Sequence, residues 1–279
     1  MARSLDEFRY ELALANRMVA NEGVLDAFGH VSARHPDDPN RYFLARSRSP
    51  ELIEPADLLE FDLDSNPVVP PTVQLYRERV IHGEIYKARP EVTGVCHHHN
   101  PAILAFCITG RELKPVYHLG AVIGDKAPFW DQRDDFGDTN LLVEKPEEGR
   151  SLARALGSHW VVLMRRHGAT VAGTSLRDCV FRTIYSCRTA EYQLQAERLG
   201  VVSALSRGEV EKATLIHQQP GPLNRAWEYW VRRIEKAGEA PPRGASVKRA
   251  GAARGGRSAR KASRPAARGA KKAPKRGRR

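Results

Sequence analysis

Apolar residues recur along the first 22 positions at the spacing of a helix. Leu5, Phe8, Leu12, Ala15, Met18 and Val19 share one face, and Gly23 closes the run. Phe28–Arg34 then reads as a turn leading into a strand, and Tyr42–Ala45 as a second strand. Pro55–Glu60 resembles a short capped turn ahead of a strand at Phe61–Leu63. Residues 74–88 are amphipathic, with Leu75, Val80, Ile81 and Ile85 inward, and the helix ends before Pro90. Val92–Cys96 leads into a strand that Asn100-Pro101 terminates, and Pro101–Phe106 begins another helix with proline in its first turn. Short strands are predicted around 115–123, around 160–164 and at Ala169–Ala172, with a helix over 151–156. The longest helix runs from Leu176 to about Leu199, and a last one covers about 222–236, carrying Trp227, Tyr229 and Trp230 as packing residues. Strands alternate with helices, so the body is an α/β domain over residues 1–238, without internal repeats.

Charge changes the picture only at the C-terminus. The formal net charge is +12, but Arg243–Arg279 holds 15 Lys or Arg and no Asp or Glu, which leaves 30 basic against 33 acidic residues elsewhere. The basic character therefore belongs to a tail and not to a face of the folded body. Apart from Glu239 and Val247, residues 239–279 are Ala, Gly, Pro, Ser, Lys and Arg, the composition of a disordered segment. Such a tail offers electrostatic contact to nucleic acid or anionic surfaces, but it has no aromatic residue for base stacking. A solvated extension without a specific partner is the plainer reading. No run approaches the length of a membrane span, and acidic residues stand where a signal peptide needs apolar ones. Cys96, Cys107, Cys179 and Cys187 lack metal or redox spacing and read as reduced, buried thiols of a cytoplasmic protein.

The chemistry-bearing run is Cys96-His97-His98-His99-Asn100, answered further on by Arg166-His167-Gly168. A strand directs His97 and His99 to one face and His98 to the other. Two imidazoles on one face and a third from elsewhere match a catalytic metal site with three protein ligands and an open position. Taken alone, an H-x-H pair is as readily a fortuitous cluster at a turn.

Ala88-Arg89-Pro90-Glu91-Val92, then His97-x-His99-x-Pro101-Ala102, then Arg166-His167-Gly168-Ala169 with Gly173, resemble the class II aldolase/adducin family, as does Glu78-x-x-x-His82 one helix upstream. The resemblance covers roughly residues 5–235. It implies a three-layer αβα sandwich on a central mixed β-sheet, and a homotetramer with active sites at subunit interfaces. It implies that His97, His99 and His167 are the metal ligands, with zinc or manganese as the ion, and that Glu78 is the acid/base group. Read without the family, Glu78 is a solvated helix carboxylate. Sugar-phosphate members hold phosphate with a Gly-Asn turn, a Ser-Gly loop and a Ser-Ser pair before the glutamate. Here those places read Gly29-His30, Arg46-Ser47-Arg48-Ser49 and Tyr76-Arg77.

A backbone-and-serine phosphate cradle does not survive those changes. Arg46, Arg48 and Arg77 are candidates for gripping a planar carboxylate, Tyr76 for stacking on a ring, and His30 for substrate contact. One or more of the arginines is alternatively an ordinary surface charge. Phe28–Arg34, Cys96–His99, Pro115–Gly120 and Arg225–Trp230 further resemble the branch of hydroxyaryl and hydroxypyridine carboxylate decarboxylases. This implies a metal-dependent lyase that releases carbon dioxide from a carboxylate beside a ring hydroxyl. Glu78 or His118 would deliver the proton; His118 reads equally as a core histidine. The alternatives are an aldolase or epimerase acting on a sugar or sugar-acid derivative, and a non-catalytic adducin-like binding module.

Overall fold

A computed structural model describes residues 4–243. The basic tail expected over 239–279 lies, from residue 244 onward, outside the described residues. Seven strands form one sheet in the order β3-β2-β1-β4-β7-β6-β5. They are β1 (His30–Arg34), β2 (Arg41–Ala45), β3 (Leu58–Asp62), β4 (Gly94–His98), β5 (Phe129–Trp130), β6 (Val161–Met164) and β7 (Gly168–Gly173). The β5–β6 pair is parallel and the others are antiparallel, so the sheet is mixed.

Strand alternation divides the apolar residues between two cores. Phe43, Ala45, Cys96, Val161, Leu163 and Val171 face one way, onto α1 (Leu5–Asn21), α3 (Pro101–Thr109), α6 (Leu176–Glu197) and α8 (Pro220–Ala237). Tyr42, Leu44, Val95, Val162, Met164 and Ala172 face the other way, onto α2 (Val80–Ala88) and α5 (Pro146–Leu156). Helices on both faces make the three-layer sandwich expected from the resemblance. The strands read as apolar on both parities because both faces are buried. All four cysteines are buried and unpaired. Trp227 and Trp230 are buried, and Trp230 packs against Phe181 and Tyr185. Among the described residues no helix is long and apolar enough to cross a membrane.

Three expectations need correction. Residues 115–123 do not form a strand: Pro115–Tyr117 is irregular and His118–Ile123 is a 3-10 helix. Its apolar residues bury as a strand's would, but side chains satisfy its carbonyls: Arg182 donates to Val122 and Thr214 to Ala121. A short apolar run does not distinguish these outcomes. The helix expected from 74 begins later, as a 3-10 turn at Arg77–Arg79 running into α2. Leu75 instead bridges to Arg46, and the Ser47 amide donates to the Gln74 carbonyl. Finally, β5, α4 (Gln132–Phe136) and α7 (Arg207–His217) had no counterpart in the sequence reading.

The turn between β6 and β7 is tight. Arg166 takes a left-handed φ of 58° and is held there by its Nη2, 2.7 Å from both oxygens of Asp131. Gly168 follows because a Cβ would sit 2.3 Å from the His98 carbonyl oxygen and 2.9 Å from His99 Cδ2. Gly168→Ala therefore has to push β7 off β4, at a cost of about 1–3 kcal/mol. Chemical denaturation measures this; an unchanged midpoint would show that the close approach is not required.

Candidate metal centre and active site

Strand β4 lies between β1 and β7, and its register places His97 opposite His30 on one side and Thr170 on the other. His97 shares the parity of Val95 and faces the layer of α2 and α5. His98 faces the opposite core, buried, with Cys187 Sγ 4.0 Å from its ring nitrogens. His99 lies just past the end of β4, and His167 arrives on the β6–β7 turn. Glu78 sits in the 3-10 turn that precedes α2. Each of Glu78, His97, His99 and His167 offers one ligand atom, and all four atoms lie within 4.8 Å of one another. His97 Nε2 is 3.0 Å from His99 Nε2 and 3.6 Å from Glu78 Oε2, and His167 Nε2 is 3.5 Å from Glu78 Oε1.

This donor set fits a divalent cation. Tetrahedral ligands about 2.1 Å from an ion stand about 3.4 Å apart, close to these separations. The hydrogen bonds behind His97 also prepare it. The Thr170 hydroxyl donates to Met164 Sδ (3.4 Å), so at 3.2 Å from His97 Nδ1 it accepts the ring proton. His97 Nε2 is then left as a lone pair facing the cluster, the orienting role that a partner behind a metal ligand plays.

Burial sets the charges. It pushes His97 well below the ordinary histidine range, with the neighbouring His167 and His99 adding to the shift, and it brings His167 down to about 4. His30 also falls well below, through burial and then His82. The Glu78 carboxyl moves the other way. Burial, with Glu144 and Glu148 nearby, raises it to about 7, although the Val143 amide donates to Oε1 at 3.0 Å and partly offsets this. Without a cation the site is a group of neutral imidazoles around a carboxyl poised near neutrality.

A cavity of about 430 Å³ opens beside the cluster, with Phe28, His30, Arg48, Tyr76, Arg77, Glu78 and His99 among its lining residues. Arg48 Nη1 and Arg46 Nε each hold one oxygen of Asp57, both at 2.6 Å. Burial alone would raise the Asp57 carboxyl, but Arg46, the Glu54 amide and Arg48 outweigh it and hold it below the usual range. Tyr76 donates its hydroxyl to the Arg48 carbonyl, and its ring lies 4.5 Å from that of His30. Arg77 pairs with Glu144 and is mostly exposed.

The expected site residues thus divide. Glu78, His97, His99 and His167 meet at one point, and His30, Arg48, Tyr76 and Arg77 line the cavity beside it. Arg46 stands behind, on Asp57, and does not line the cavity. His118 lies elsewhere, exposed at the start of its 3-10 turn, with His217 at 5.4 Å and Tyr117 at 5.9 Å between ring centres. Sequence reasoning missed Asp57, Asp131 and Thr170, and also Ser32 and Tyr86, which hydrogen bond behind His82. For the last two a signal existed: Ser32 follows His30 by two in a strand, and Tyr86 follows His82 by four in a helix.

Residues 10–194 match the family described as Class II Aldolase and Adducin N-terminal domain, and the chain belongs to that family. It is 34% identical over 241 residues to decarboxylase tropJ of Talaromyces stipitatus, covering 77% of this chain and 89% of that one. It is 27% identical over 246 residues to a 3,4-dihydroxyphthalate decarboxylase of Arthrobacter keyseri, covering 82% and 94%. Among solved structures it superposes on the L-fuculose 1-phosphate aldolase from Glaciozyma antarctica with a TM-score of 0.70 at 20% identity, over 84% of this chain and 91% of that one. That last likeness concerns the fold.

The raised Glu78 has a measurable consequence. Between about pH 4.5 and 7 the native chain keeps a proton that the unfolded chain has released, so this group lowers stability as pH rises. In metal-stripped protein, Glu78→Gln is expected to be more stable than the parent at pH 8, by up to about 3 kcal/mol. The gap should shrink toward pH 5. Denaturation curves at both values test this, and a gap that does not grow with pH overturns it.

Proposed function

We propose that the protein is a divalent-metal-dependent decarboxylase of a hydroxylated aromatic or pyridine carboxylate. The observation that carries this is one cavity whose lining joins Glu78 and His99, two members of the Glu-His-His-His cluster, to Arg48 and Tyr76. The chain is a carbon–carbon lyase of its family, and two curated relatives similar to it over most of their length bear decarboxylase names. A non-catalytic module would not need a convergent, buried Glu-His-His-His cluster.

His97, His99 and His167 would hold the ion, which supplies Lewis-acid charge to a chelating pair of hydroxyl and carboxylate oxygens. Zinc suits three imidazoles and is our first choice, with manganese the alternative that the resemblance implies. Tyr76 and Phe28 line the cavity and would offer ring surface to a planar substrate. Arg48 engages Asp57 through Nη1 alone, so its other donors remain for an acidic substituent. Glu78 is a buried carboxyl beside the cluster, placed to carry a proton. It delivers that proton to the ring carbon as the bond to the leaving carboxyl breaks, and it regains a proton from solvent afterwards. We also take the enzyme to be a homotetramer, which light scattering on the purified protein tests.

Ser47 and Ser49 also line the cavity. Their hydroxyls are the remaining support for an aldolase or epimerase acting on a sugar derivative.

The deciding assay is carbon dioxide release from a panel of ortho-hydroxy aromatic and pyridine carboxylates by metal-loaded protein. Release is expected, with loss on chelation and in His97→Ala, and a fall in kcat of about 10²–10⁴-fold in Glu78→Gln. No release across the panel, with metal bound, would transfer the assignment to the sugar-derivative reading. Within an active panel, Arg48→Met should raise KM about 10- to 100-fold, the worth of one charged hydrogen bond. An unchanged KM would remove Arg48 from the substrate site.

A further inference from the structure

Behind His30 runs a line of buried polar groups that the mechanism above does not use. His30 Nδ1 lies 2.6 Å from His82 Nε2, His82 Nδ1 lies 2.6 Å from Ser32 Oγ, and Ser32 Oγ lies 2.8 Å from the Tyr86 hydroxyl. His30 is 3% exposed, Tyr86 1%, and His82 and Ser32 fully buried. Among the described residues the Tyr86 hydroxyl has no other hydrogen-bond partner.

Counting protons settles the direction of this line. With both imidazoles neutral, four hydrogens are available: one each from Tyr86, Ser32, His82 and His30. If His30 Nδ1 donated to His82, His82 Nδ1–H would have to donate to Ser32. Ser32 would then donate to Tyr86, leaving the Tyr86 hydrogen without an acceptor, or accept from both, leaving its own hydrogen without one. A buried donor left unpaired costs about 1–3 kcal/mol. Only one arrangement places every interior hydrogen. Tyr86 donates to Ser32, Ser32 to His82 Nδ1, and His82 Nε2–H to His30 Nδ1. The single hydrogen left over is on His30 Nε2, on the ring that lines the cavity.

We propose that Tyr86, Ser32 and His82 hold His30 as the Nε2–H tautomer, making it a fixed hydrogen-bond donor to a substrate oxygen beside the metal centre. His30 Nε2–H is then neither a general base nor a fourth imidazole ligand, although its ring centre lies 5.4 Å from that of His97. Nor does the line supply protons to the substrate. Its inner end is a phenol that burial holds well above its ordinary range, so a proton passed outward would leave a buried tyrosinate. Its work is orientation: a preset donor for the oxygen on which charge grows during cleavage, the kind of preorganised stabilisation that costs no rearrangement during the reaction. His30 would touch the substrate, and His82, Ser32 and Tyr86 are positioning residues. The catalytic part of this inference rests on the decarboxylase reading; the tautomer does not.

The test has two arms. Long-range proton–nitrogen correlation spectra of the zinc-loaded full chain, labelled with 15N-histidine, report which ring nitrogen carries hydrogen. His30→Gln and His82→Gln identify the two residues' signals by their loss. Hydrogen on Nε2 of both rings is expected, and hydrogen on Nδ1 of His30 overturns the proposal whatever the substrate. In the kinetic arm, His82→Leu should lower kcat by about 10- to 100-fold with KM and bound zinc unchanged, as loss of an orienting partner does. His82→Gln, whose amide N–H can still donate to His30, should recover most of it. An unchanged kcat in the leucine variant, or an equal fall in both, overturns the positioning role. Absence of carbon dioxide release by the parent protein counts instead against the decarboxylase reading and leaves the spectroscopic arm to decide.

Discussion

The antiparallel seating of β4 between β1 and β7 is the constraint on which the rest depends. One rung of that pairing carries His30, His97 and Thr170 side by side on the same face of the sheet. Three features of the site follow from the rung: the His97 imidazole facing the cluster, the Thr170 hydroxyl behind it, and the proposed donor His30 at the cavity. A slip of one residue would turn His97 into the core now occupied by His98 and present His98 to the cavity instead. Cys96 and Val95, committed to opposite cores, oppose such a slip. The apolar pattern of β4 therefore specifies the chemistry as much as it stabilises the sheet.

Much of this was legible in the sequence because period-2 alternation is strict. The opposite facing of His98, the α/β alternation and the long helix over Leu176–Glu197 follow from spacing and from where apolar residues fall, while the three-layer architecture came from the resemblance. The convergence of His167 on His97 and His99 did not follow from spacing. It depends on a hairpin turn held by a left-handed Arg166 and a missing Cβ at Gly168, and resemblance to a family supplied it in advance. The strand expected at 115–123 failed for a definable reason. Its apolar run is buried, but Arg182 and Thr214 answer its carbonyls where a neighbouring strand would have. Side-chain capping of a buried 3-10 turn leaves no periodic mark. Arg46 and Arg48 looked equivalent in sequence, and Asp57 separates them in space: both are tied to it, but only Arg48 reaches the cavity.

Hydrogen-bond direction organises the site from behind. Thr170, by donating to Met164, leaves His97 with a bare Nε2; the Tyr86–Ser32–His82 line leaves His30 with a protonated one. The two imidazoles sit opposite each other in the same strand register and are buried alike, yet they are prepared for opposite tasks, one to give a lone pair and one to give a hydrogen. Composition cannot distinguish them. The difference lies in the residue two places further along β1 and in the one across from His97 on β7.

The electrostatic state of the cluster without an ion is an unsatisfied one. Burial forces the imidazoles neutral and pushes the carboxyl toward protonation, so none of the four groups can be charged without loss. A divalent cation reverses this. It would take the lone pairs that burial has kept free of protons. The arginines in and behind the cavity do not compete for Glu78: Arg48 and, behind it, Arg46 are engaged by Asp57, and Arg77 by Glu144. Arg48, in the same cavity lining as Glu78 and His99, offers positive charge for a substrate carboxylate. A carboxylate bound at the cluster would meet the charge of an ion there, and a second anionic group would meet Arg48. An acid with one chelating oxygen pair and a second anionic or polar substituent matches that division, whereas a neutral sugar would leave the Arg48 wall without a partner.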